Sequence, residues 1–339
     1  MSLSVVLITR NQAWNIARLV ESVLAQESVA ALLDVVVVDS ASSDATVAIA
    51  SRYPIDVIAL HADQRLTAAA GRYVGYRHTA GEFVLFLDGD MTLIGGWLDA
   101  ALVVLRAQPD VAAVTGDLIE RPTATPPDAD LTVVQPADPV RALNIPQGGG
   151  AALYRRSVLE EVGTFHPYII SDEEPELCVR IRQHGYRVVK LNRFIAYHFS
   201  DPEDALGTLI RRARRRLYFG AGQNLRLHLG DAYFLPYLKE RGFGLIPLAA
   251  VIAGLALLVW GLLSGYWALF GLWLLALLGV VALDTLRKRS LYRALYSLLL
   301  RVLIMDGTLR GFLLTPLDPA TTPVRFDVVH HGQGDGAGE

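Results

Sequence analysis

The chain opens with two short apolar stretches, SVVLIT at residues 4–9 and DVVVV at residues 34–38. Both are rich in β-branched residues, a composition typical of strands that are buried on both faces of a sheet. Between them, residues 13–26 carry apolar side chains at helical spacing. This order of strand, helix and strand predicts two parallel strands joined by a crossover helix.

The same alternation continues further along the chain. The patterns predict a helix at residues 46–52, a strand at 55–60, a helix at 66–79 and a strand at 83–87. Repeated alternation predicts an α/β domain with a mainly parallel sheet and helices on both faces. Ligands of such domains bind at the carboxyl ends of the strands, so the loops that follow the strands are where chemistry is expected.

Residues 242–283 differ from the rest of the chain because they contain no Asp, Glu, Lys, Arg or His. A membrane span takes about 20 apolar residues, so this run is long enough to cross a membrane twice. Ser264, Gly265 and Tyr266 interrupt it near the middle and supply a turn. The other interpretation is a buried helical hairpin of a soluble protein, and the length of the run favours the membrane hairpin.

Basic residues flank this hairpin on both sides, with RRARRR at residues 211–216 before it and RKR at residues 287–289 after it. Lys and Arg near spans tend to stay in the cytoplasm, which predicts a multi-pass protein of the cell membrane whose large N-terminal domain faces the cytoplasm. The start of the chain lacks the features of a signal peptide, and a single cysteine, Cys178, fits a reducing compartment. A lone basic run without aromatic residues predicts no nucleic-acid partner.

An Asp-Gly-Asp sequence, Asp88 to Asp90, directly follows the apolar stretch FVLFL. Carboxylate oxygens suit Mg²⁺ or Mn²⁺, which complete their coordination with waters and substrate phosphates. The alternative is a polar turn that only ends the strand. The position at the carboxyl end of a strongly apolar strand favours a metal site for a bound diphosphate.

Two more polar clusters follow predicted strands or open a predicted helix. VVVVDSASSDAT places Asp39 where it could accept hydrogen bonds from a base or ribose, and Asp44 is predicted to cap the next helix. SDEEPELCVRIRQHGYRV opens a helix with four acids in five residues. The helix dipole stabilises carboxylates at that end, but an acid that faces a cleft could also take a proton from an acceptor hydroxyl.

These stretches resemble family 2 glycosyltransferases, in the correct order along residues 2–200. SVVLITRN resembles the opening strand of the family, VVVVDSASSDAT its first aspartate motif, and GRYVGYRHTAGEFVLFLDGDM the approach to its DxD motif. GGGAALYRRSVLEEVGTF and DEEPELCVRIRQHGYRV are similar to its acceptor segment and its catalytic acidic motif. The resemblance implies a nucleotide-binding fold of the GT-A type, a UDP- or GDP-sugar as donor, and inversion at the anomeric carbon by a single displacement.

The resemblance also implies which residues bind the donor nucleotide. Asp39 falls where the family contacts the nucleoside, and Thr9 and Asn11 would line the same pocket. Arg72 matches an arginine that would contact the diphosphate, although Tyr73 stands where the family usually has asparagine.

The metal and catalytic roles follow from the two acidic motifs. Asp88 and Asp90 would bind Mg²⁺ or Mn²⁺ together with the donor diphosphate, and His198 would be a third metal ligand, a phosphate contact or a structural histidine. Glu174 stands where the family places its catalytic base, usually an aspartate, and Glu173 is its acidic neighbour.

The expected function is therefore transfer of a sugar to a membrane-associated acceptor, such as a polyprenyl phosphate or a lipid-linked saccharide. The alternatives are an inactive membrane scaffold that binds nucleotide-sugars and a processive polysaccharide synthase. The predicted segments are a catalytic domain at 1–205, a basic juxtamembrane segment at 206–241, a transmembrane hairpin at 242–283, a membrane-associated helix or third span at 284–316, and a disordered tail at 317–339.

Overall fold

The structure is a computed structural model that describes residues 2–26, 32–126, 131, 133–200 and 206–332. The chain divides into two compact units. The first contains residues 1–202 together with residues 317–339, and the second contains residues 203–316.

The first unit alternates strands and helices. Its elements are β1 (Ser2–Thr9), α1 (Ile16–Leu24), β2 (Leu32–Asp39), α2 (Thr46–Ala50), β3 (Asp56–Leu60), α3 (Ala68–His78), β4 (Phe83–Asp88), β5 (Met91–Leu93), α4 (Trp97–Ala107), β6 (Val111–Arg121), β7 (Ala142–Asn144), β8 (Ala152–Arg155), α5 (Arg156–Val162), α6 (Glu173–Gln183), β9 (Arg187–Phe199) and β10 (Phe326–His330). The helices and strands predicted before residue 90 are present, with ends that differ by a few residues.

The strands form one sheet in the order β10-β3-β2-β1-β4-β8-β6-β9-β5, and β7 pairs with β9 beside this path. Strands β1 to β4 are parallel, as is the pair β6 and β9. The remaining pairings are antiparallel. The predicted α/β class is confirmed, and the parallel half of the sheet brings the carboxyl ends of β1, β2 and β4 to one edge.

The sheet is covered on both faces, as its apolar strands require. Alternate residues of β1 enter different cores: Leu3, Val5 and Leu7 pack with α1 and α4, whereas Val6 and Ile8 pack with α3 and α6. Burial of each such side chain contributes about 1.5–3 kcal/mol to folding. The polar ends of the strands are therefore held on a rigid, close-packed support.

The described part of the predicted disordered tail is ordered, so that prediction is wrong for these residues. Strand β10 pairs antiparallel with β3, with Phe326 opposite Leu60 and Val328 opposite Ile58. The tail contains a short β-branched run, and β3 would otherwise leave its backbone groups without ladder partners at the edge of the sheet. Residues 333–339 lie outside the described part of the chain.

The second unit is helical. Its elements are α7 (Leu206–Arg214), α8 (Gly220–Leu227), α9 (Phe234–Arg241), a 3₁₀ turn (Gly242–Leu245), α10 (Ile246–Ser264), α11 (Ala268–Lys288) and α12 (Leu291–Leu313). Among the residues that the structure describes, two stretches are long and apolar enough to cross a membrane: Phe234–Ser264, with a mean hydropathy of 2.5 over an 18-residue window, and Ala268–Lys288, with 2.2. The break between them lies at the predicted turn, where Gly265 takes a φ of 76°.

Candidate active site

The loops that follow β1 and β2 are joined by side-chain hydrogen bonds. The Asp39 carboxylate, whose residue is 1% exposed, accepts from the Thr9 hydroxyl at 3.1 Å, from the Ser42 backbone N–H at 2.7 Å and from the Ser42 hydroxyl. The Asn11 side chain accepts from the Ser43 N–H at 2.8 Å. The Asp39 carboxylate therefore connects Thr9 to the loop that follows β2. Its direct contact with a nucleoside stays a prediction.

Asp44 joins the same two loops. Its carboxylate accepts from the Ala13 N–H at 3.0 Å and from the Thr46 N–H at 3.0 Å. Asp44 thus accepts a hydrogen bond from the first residue of α2, as predicted for a cap, although the N-cap position is Ala45, whose side chain makes no capping bond. The Asp44 carboxylate has a structural role, because it accepts hydrogen bonds from backbone N–H groups of both loops.

The turn at residues 88–90 lies against the end of β1. The Gly89 N–H donates to the Ile8 carbonyl at 2.8 Å, and a Cβ on Gly89 would lie 3.1 Å from that oxygen. On the other side, the Asn15 amide donates to the carbonyls of Gly89 at 3.0 Å and Met91 at 2.8 Å. Glycine at this position permits the close approach, and the hydrogen bonds fix the direction of the two flanking aspartates.

Arg72, on α3, lies at the centre of a cluster of carboxylates. Its Nη1 is 2.6 Å from Glu173 Oε1, and its Nη2 is 2.7 Å from Asp88 Oδ1 and 2.8 Å from Glu174 Oε1. The residue is 1% exposed, and its guanidinium lies 5.6 Å from the centre of the Phe165 ring. A single guanidinium thus brings together the first aspartate of the turn and both glutamates of the acidic motif.

This environment differs from the diphosphate contact that the resemblance implies for Arg72. Its Nη atoms face three carboxylates, and although burial lowers its pKa, the charges of Glu174, Asp88 and Glu173 raise it overall. A guanidinium held in this way positions the acids.

The cluster has more negative than positive charge. Burial raises the pKa of Asp88 to about 7, against the opposing effect of Arg72. Burial and the charge of Glu174 raise the pKa of Glu173 to about 8. Three carboxylates surround the one guanidinium, Asp90 adds its charge beside Asp88, and a bound cation would stabilise the ionised acids.

The residues present fit a divalent cation. Asp90 Oδ1 is buried and has no hydrogen-bond partner among the described residues. No group of three or more His, Cys, Asp or Glu side chains in the described ranges is arranged to hold a metal by itself. Mg²⁺ or Mn²⁺ at Asp88 and Asp90 would therefore take its remaining ligands from water and donor phosphates, as these ions commonly do.

His198 lies beside the same turn because β5 pairs with β9, which sets Met91 opposite His198. Its Nε2 is 3.7 Å from Asp90 Oδ2, and its Nδ1 is 3.0 Å from the Glu120 carboxylate. Hydrogen bonding to Asp90, opposed by burial and reinforced by Glu120, raises the pKa of His198 to about 9. His198 therefore lies beside the proposed metal ligand Asp90, and its role as a third metal ligand, a phosphate contact or a structural histidine stays a prediction.

A cavity of about 270 Å³ opens between these groups. Its walls come from four segments: the end of β1 and the loop after it supply Thr9, Arg10 and Gln12, the loop after β2 supplies Ser40, the start of α3 and the loop before it supply Leu66, Thr67 and Ala68, and the turn after β4 supplies residues 88–90. Of the predicted donor-binding residues, Thr9 and Asp88 line it, whereas Asn11, Asp39 and Arg72 are not part of its described lining.

The sequence analysis missed the wall formed by residues 66–68, together with Arg10 and Gln12. Residue type alone does not single out Leu66 or Ala68. The position before a predicted helix at the ligand-binding edge is the signal that could have found them.

Arg180, the arginine that trails the acidic motif, braces α6. Its guanidinium pairs with Glu176 at 2.6 Å and donates to the carbonyls of Val162 at 2.6 Å and Thr164 at 2.9 Å. These contacts fix α6 against the end of α5, and with it the direction of the two glutamates in its first turn.

The fold and the site define a glycosyltransferase domain of the GT-A type. Residues 4–163 match the sequence model of Glycosyl transferase family 2. This match confirms the resemblance drawn from the motifs for that part of the chain.

Two curated relatives and one solved structure extend the comparison. The chain is 26% identical over 227 residues to Glycosyltransferase AglE of Haloferax volcanii, covering 65% of this chain and 72% of the relative. It is 30% identical over 276 residues to the pre-mycofactocin glycosyltransferase of Mycobacterium tuberculosis, covering 77% of this chain but only 52%, about half, of the relative's length. The mannosyltransferase PcManGT from Pyrobaculum calidifontis, in complex with GDP-Man and Mn²⁺, shares the fold with a TM-score of 0.55 at 22% identity, over 92% of this chain and 87% of that one.

Proposed function

We propose that this protein is a metal-dependent, inverting glycosyltransferase that moves a sugar from a nucleotide-sugar to a membrane-associated acceptor. The observation that carries the proposal is the cluster of Asp88, Glu173 and Glu174 around the buried Arg72, beside a cavity lined by the turn at residues 88–90. The cluster and the cavity together offer a binding place for a charged leaving group and a carboxylate that can accept a proton.

The donor proposed for the cavity is a UDP- or GDP-sugar. The family match supports this class, and the similar fold of PcManGT, whose complex contains GDP-Man and Mn²⁺, is compatible with it. Thr9 and Ser40 would face the nucleoside, and Asp88 and Asp90 would lie at the diphosphate end together with Mg²⁺ or Mn²⁺. When bound, the cation would stabilise the negative charge that develops on the leaving diphosphate.

In the proposed reaction, an acceptor hydroxyl oxygen forms a bond to C1 of the donor sugar. The bond between C1 and the diphosphate oxygen breaks, and its electron pair leaves with the diphosphate. The hydroxyl proton passes to the Glu174 carboxylate. Glu174 suits this role better than Glu173, because its side chain is 15% exposed and that of Glu173 only 6%.

The proposed acceptor is attached to a membrane lipid. The two helices long and apolar enough to span a membrane support this class, and the basic residues of α7 suit an anionic surface. A lipid-linked saccharide presents a hydroxyl, which has to lose a proton. A polyprenyl phosphate presents an oxyanion, which depends less on a base.

The test is a transfer assay with the full chain in detergent or lipid. Radiolabelled UDP- and GDP-sugars are supplied with Mn²⁺ and either polyprenyl phosphate or a lipid-linked saccharide, and the label in the organic phase is counted. Mn²⁺-dependent label in the lipid phase is the expected result. Donor binding without transfer or hydrolysis would instead indicate the inactive scaffold, and products of steadily growing size would indicate the processive synthase.

A further inference from the structure

Residues 317–332, which we call the C-terminal strap, contact the loop that forms one wall of the cavity. That loop, residues 61–67, connects β3 to α3 and is called the wall loop here. Leu66 and Thr67 at its end line the cavity. The strap and the wall loop belong to the same compact unit, although more than 240 residues separate them in the sequence.

The strap is anchored on both sides of the contact. Its strand β10 pairs with β3, which directly precedes the wall loop. Before β10, Val324 is 9% exposed and belongs to the apolar core that also contains Ala70 and Val74 of α3. The strap therefore binds both elements that the wall loop connects.

Gln64 makes the central contact between the wall loop and the strap. Its side-chain amide donates to the Arg325 carbonyl at 2.5 Å, and its carbonyl oxygen accepts from the Arg325 N–H at 2.9 Å. The Arg325 guanidinium pairs with Asp63 at 2.7 Å, and the His61 N–H donates to the Arg325 carbonyl at 3.1 Å. One strap residue thus holds three positions of the wall loop.

A second set of contacts holds the end of the wall loop. The Thr67 hydroxyl donates to the Pro167 carbonyl at 2.6 Å. The next residue, Tyr168, is 4% exposed, and its hydroxyl donates to the Thr322 carbonyl of the strap. The wall residue Thr67 is therefore connected to the strap through a second, independent route.

We propose that the C-terminal strap positions the cavity wall for the donor, with Gln64 as the positioning residue through which it acts. A loop that is already ordered in its binding conformation does not lose that freedom when the ligand binds, so its affinity is higher. The inference rests on the proposed function, in which this cavity takes the nucleotide-sugar. Release of the strap then weakens donor binding and leaves the acids around Arg72 in place.

The first experiment compares the full-length variants Gln64→Ala and Gln135→Ala. Gln135 is the control, because its side chain also holds backbone groups, donating to the Phe194 carbonyl at 2.8 Å and accepting from the Phe194 N–H at 2.9 Å, but it belongs to neither the wall loop nor the strap. Dissociation constants of UDP and GDP are measured with Mn²⁺ by calorimetry, together with donor KM and kcat for hydrolysis and the melting temperature.

For Gln64→Ala we expect the dissociation constant of the preferred nucleotide and the donor KM to rise about five- to tenfold, as two lost hydrogen bonds imply. The kcat at saturating donor should stay within about twofold, because the acids do not move. Gln135→Ala should lose a similar amount of thermal stability without a change in nucleotide affinity. An unchanged affinity in Gln64→Ala, or an equal change in both variants, would overturn the inference.

The second experiment tests whether the strap is docked, independently of any activity. Ala59 and Asp327 are cross-strand partners of β3 and β10, so Ala59→Cys with Asp327→Cys should form a disulfide on oxidation. The one native cysteine, Cys178, is buried, and the single Asp327→Cys variant is the control. If the double-cysteine variant fails to cross-link, this inference is overturned, but the proposed function is not. If the double-cysteine variant cross-links but neither it nor the wild-type protein binds either nucleotide, the proposed function is overturned, and this inference with it.

Discussion

Glu174 and Glu173 are adjacent in sequence and share Arg72, yet they differ in access to solvent. Glu173 is buried against Nη1 of Arg72, whereas the Glu174 side chain keeps more of its surface exposed. A base has to reach the proton that it removes. The difference in exposure therefore agrees with the motif register, which assigns the base to Glu174 and not to Glu173.

We predict that Glu174→Gln lowers turnover by at least about 100-fold while donor binding changes little, because the substitution keeps the size and removes the base. Donor hydrolysis is a suitable assay, since water also has to lose a proton. Glu174→Asp should retain measurable activity. If the acids only stabilise the start of α6, at about 0.3–1 kcal/mol each, Glu174→Gln will work at the wild-type rate with a slightly lower melting temperature.

A second prediction concerns Asp90 Oδ1, the buried oxygen without a hydrogen-bond partner among the described residues. Mn²⁺ should raise the melting temperature of the wild-type protein, since a ligand at 100 times its dissociation constant stabilises the folded state by about 2.7 kcal/mol. Asp90→Asn should remove most of this response. Asp117→Asn is the control, because Asp117 forms a partly exposed pair with Lys190 at 2.8 Å and should respond to Mn²⁺ like the wild type. An equal response of all three proteins would exclude Asp90 as a ligand.

Strand β8 completes the site from the antiparallel half of the sheet. Its Ala152 lies opposite Phe86 of β4, and the chain that precedes it brings Gly150 over Asp88. A Cβ on Gly150 would lie 2.3 Å from Asp88 Oδ2 and 3.5 Å from Arg72 Nη2. The Asp88 carboxylate, held by Arg72, has little freedom to move away.

We therefore predict that Gly150→Ala weakens Mn²⁺ binding about tenfold or more by turning the Asp88 carboxylate, a typical outcome when a tightly packed site receives an extra methyl group. Gly95→Ala is the matched control, because a Cβ there meets nothing within 4 Å. Calorimetric titration of both variants with Mn²⁺ checks the prediction. Equal affinities would mean that the carboxylate is not fixed in the way that the contacts indicate.

The sequence predicted the strands that pair with neighbours along the chain, but not the strands that pair with distant parts of it. Strands β1 to β4 and their helices were predictable, because parallel pairing of neighbours follows from local strand and helix patterns. Strand β9 pairs with β6 across register shifts between Thr115 and Leu118, and β10 pairs with a strand more than 260 residues away. Such pairings depend on contacts between distant parts of the chain, which no local pattern records.

The candidate site shows the same limit. The types and order of Asp88, Asp90, Glu173 and Glu174 were visible in the sequence. Their common partner Arg72 was assigned a different role there, because its distance from Glu173 along the chain is 101 residues and only the folded sheet brings them together. Wall residues such as Leu66 carry no chemical signature.

At the scale of the whole molecule, the sheet restricts how the chain can cross a membrane. Strand β10 follows the helical unit, and it pairs with β3, which precedes that unit. A sheet cannot be divided between the two sides of a membrane. The chain between residues 203 and 316 must therefore cross an even number of times.

If α10 and α11, which are long and apolar enough to span a membrane, make two crossings, α12 is predicted to lie outside the bilayer core. It carries Arg293, Arg301, Asp306 and Arg310, and charges of that number are costly in lipid. Its Gly307 and Gly311 also pack closely against the backbone beside α8, which is part of the basic juxtamembrane segment. These contacts favour an interfacial helix over a third span.

We predict that a tag before Met1 and a tag after Glu339 lie on the same side of the membrane, and that a tag inserted at Gly265, in the turn between α10 and α11, lies on the other. From the basic flanks we expect the two terminal tags to lie in the cytoplasm. In sealed inside-out vesicles, a protease should therefore remove both terminal tags and spare the inserted one, and detergent should expose all three.

Protection of both terminal tags with loss of the inserted one would keep the even number of crossings and reverse the orientation. Protection of the C-terminal tag alone would require an odd number, which would separate β10 from β3 and contradict both the sheet and the docked strap.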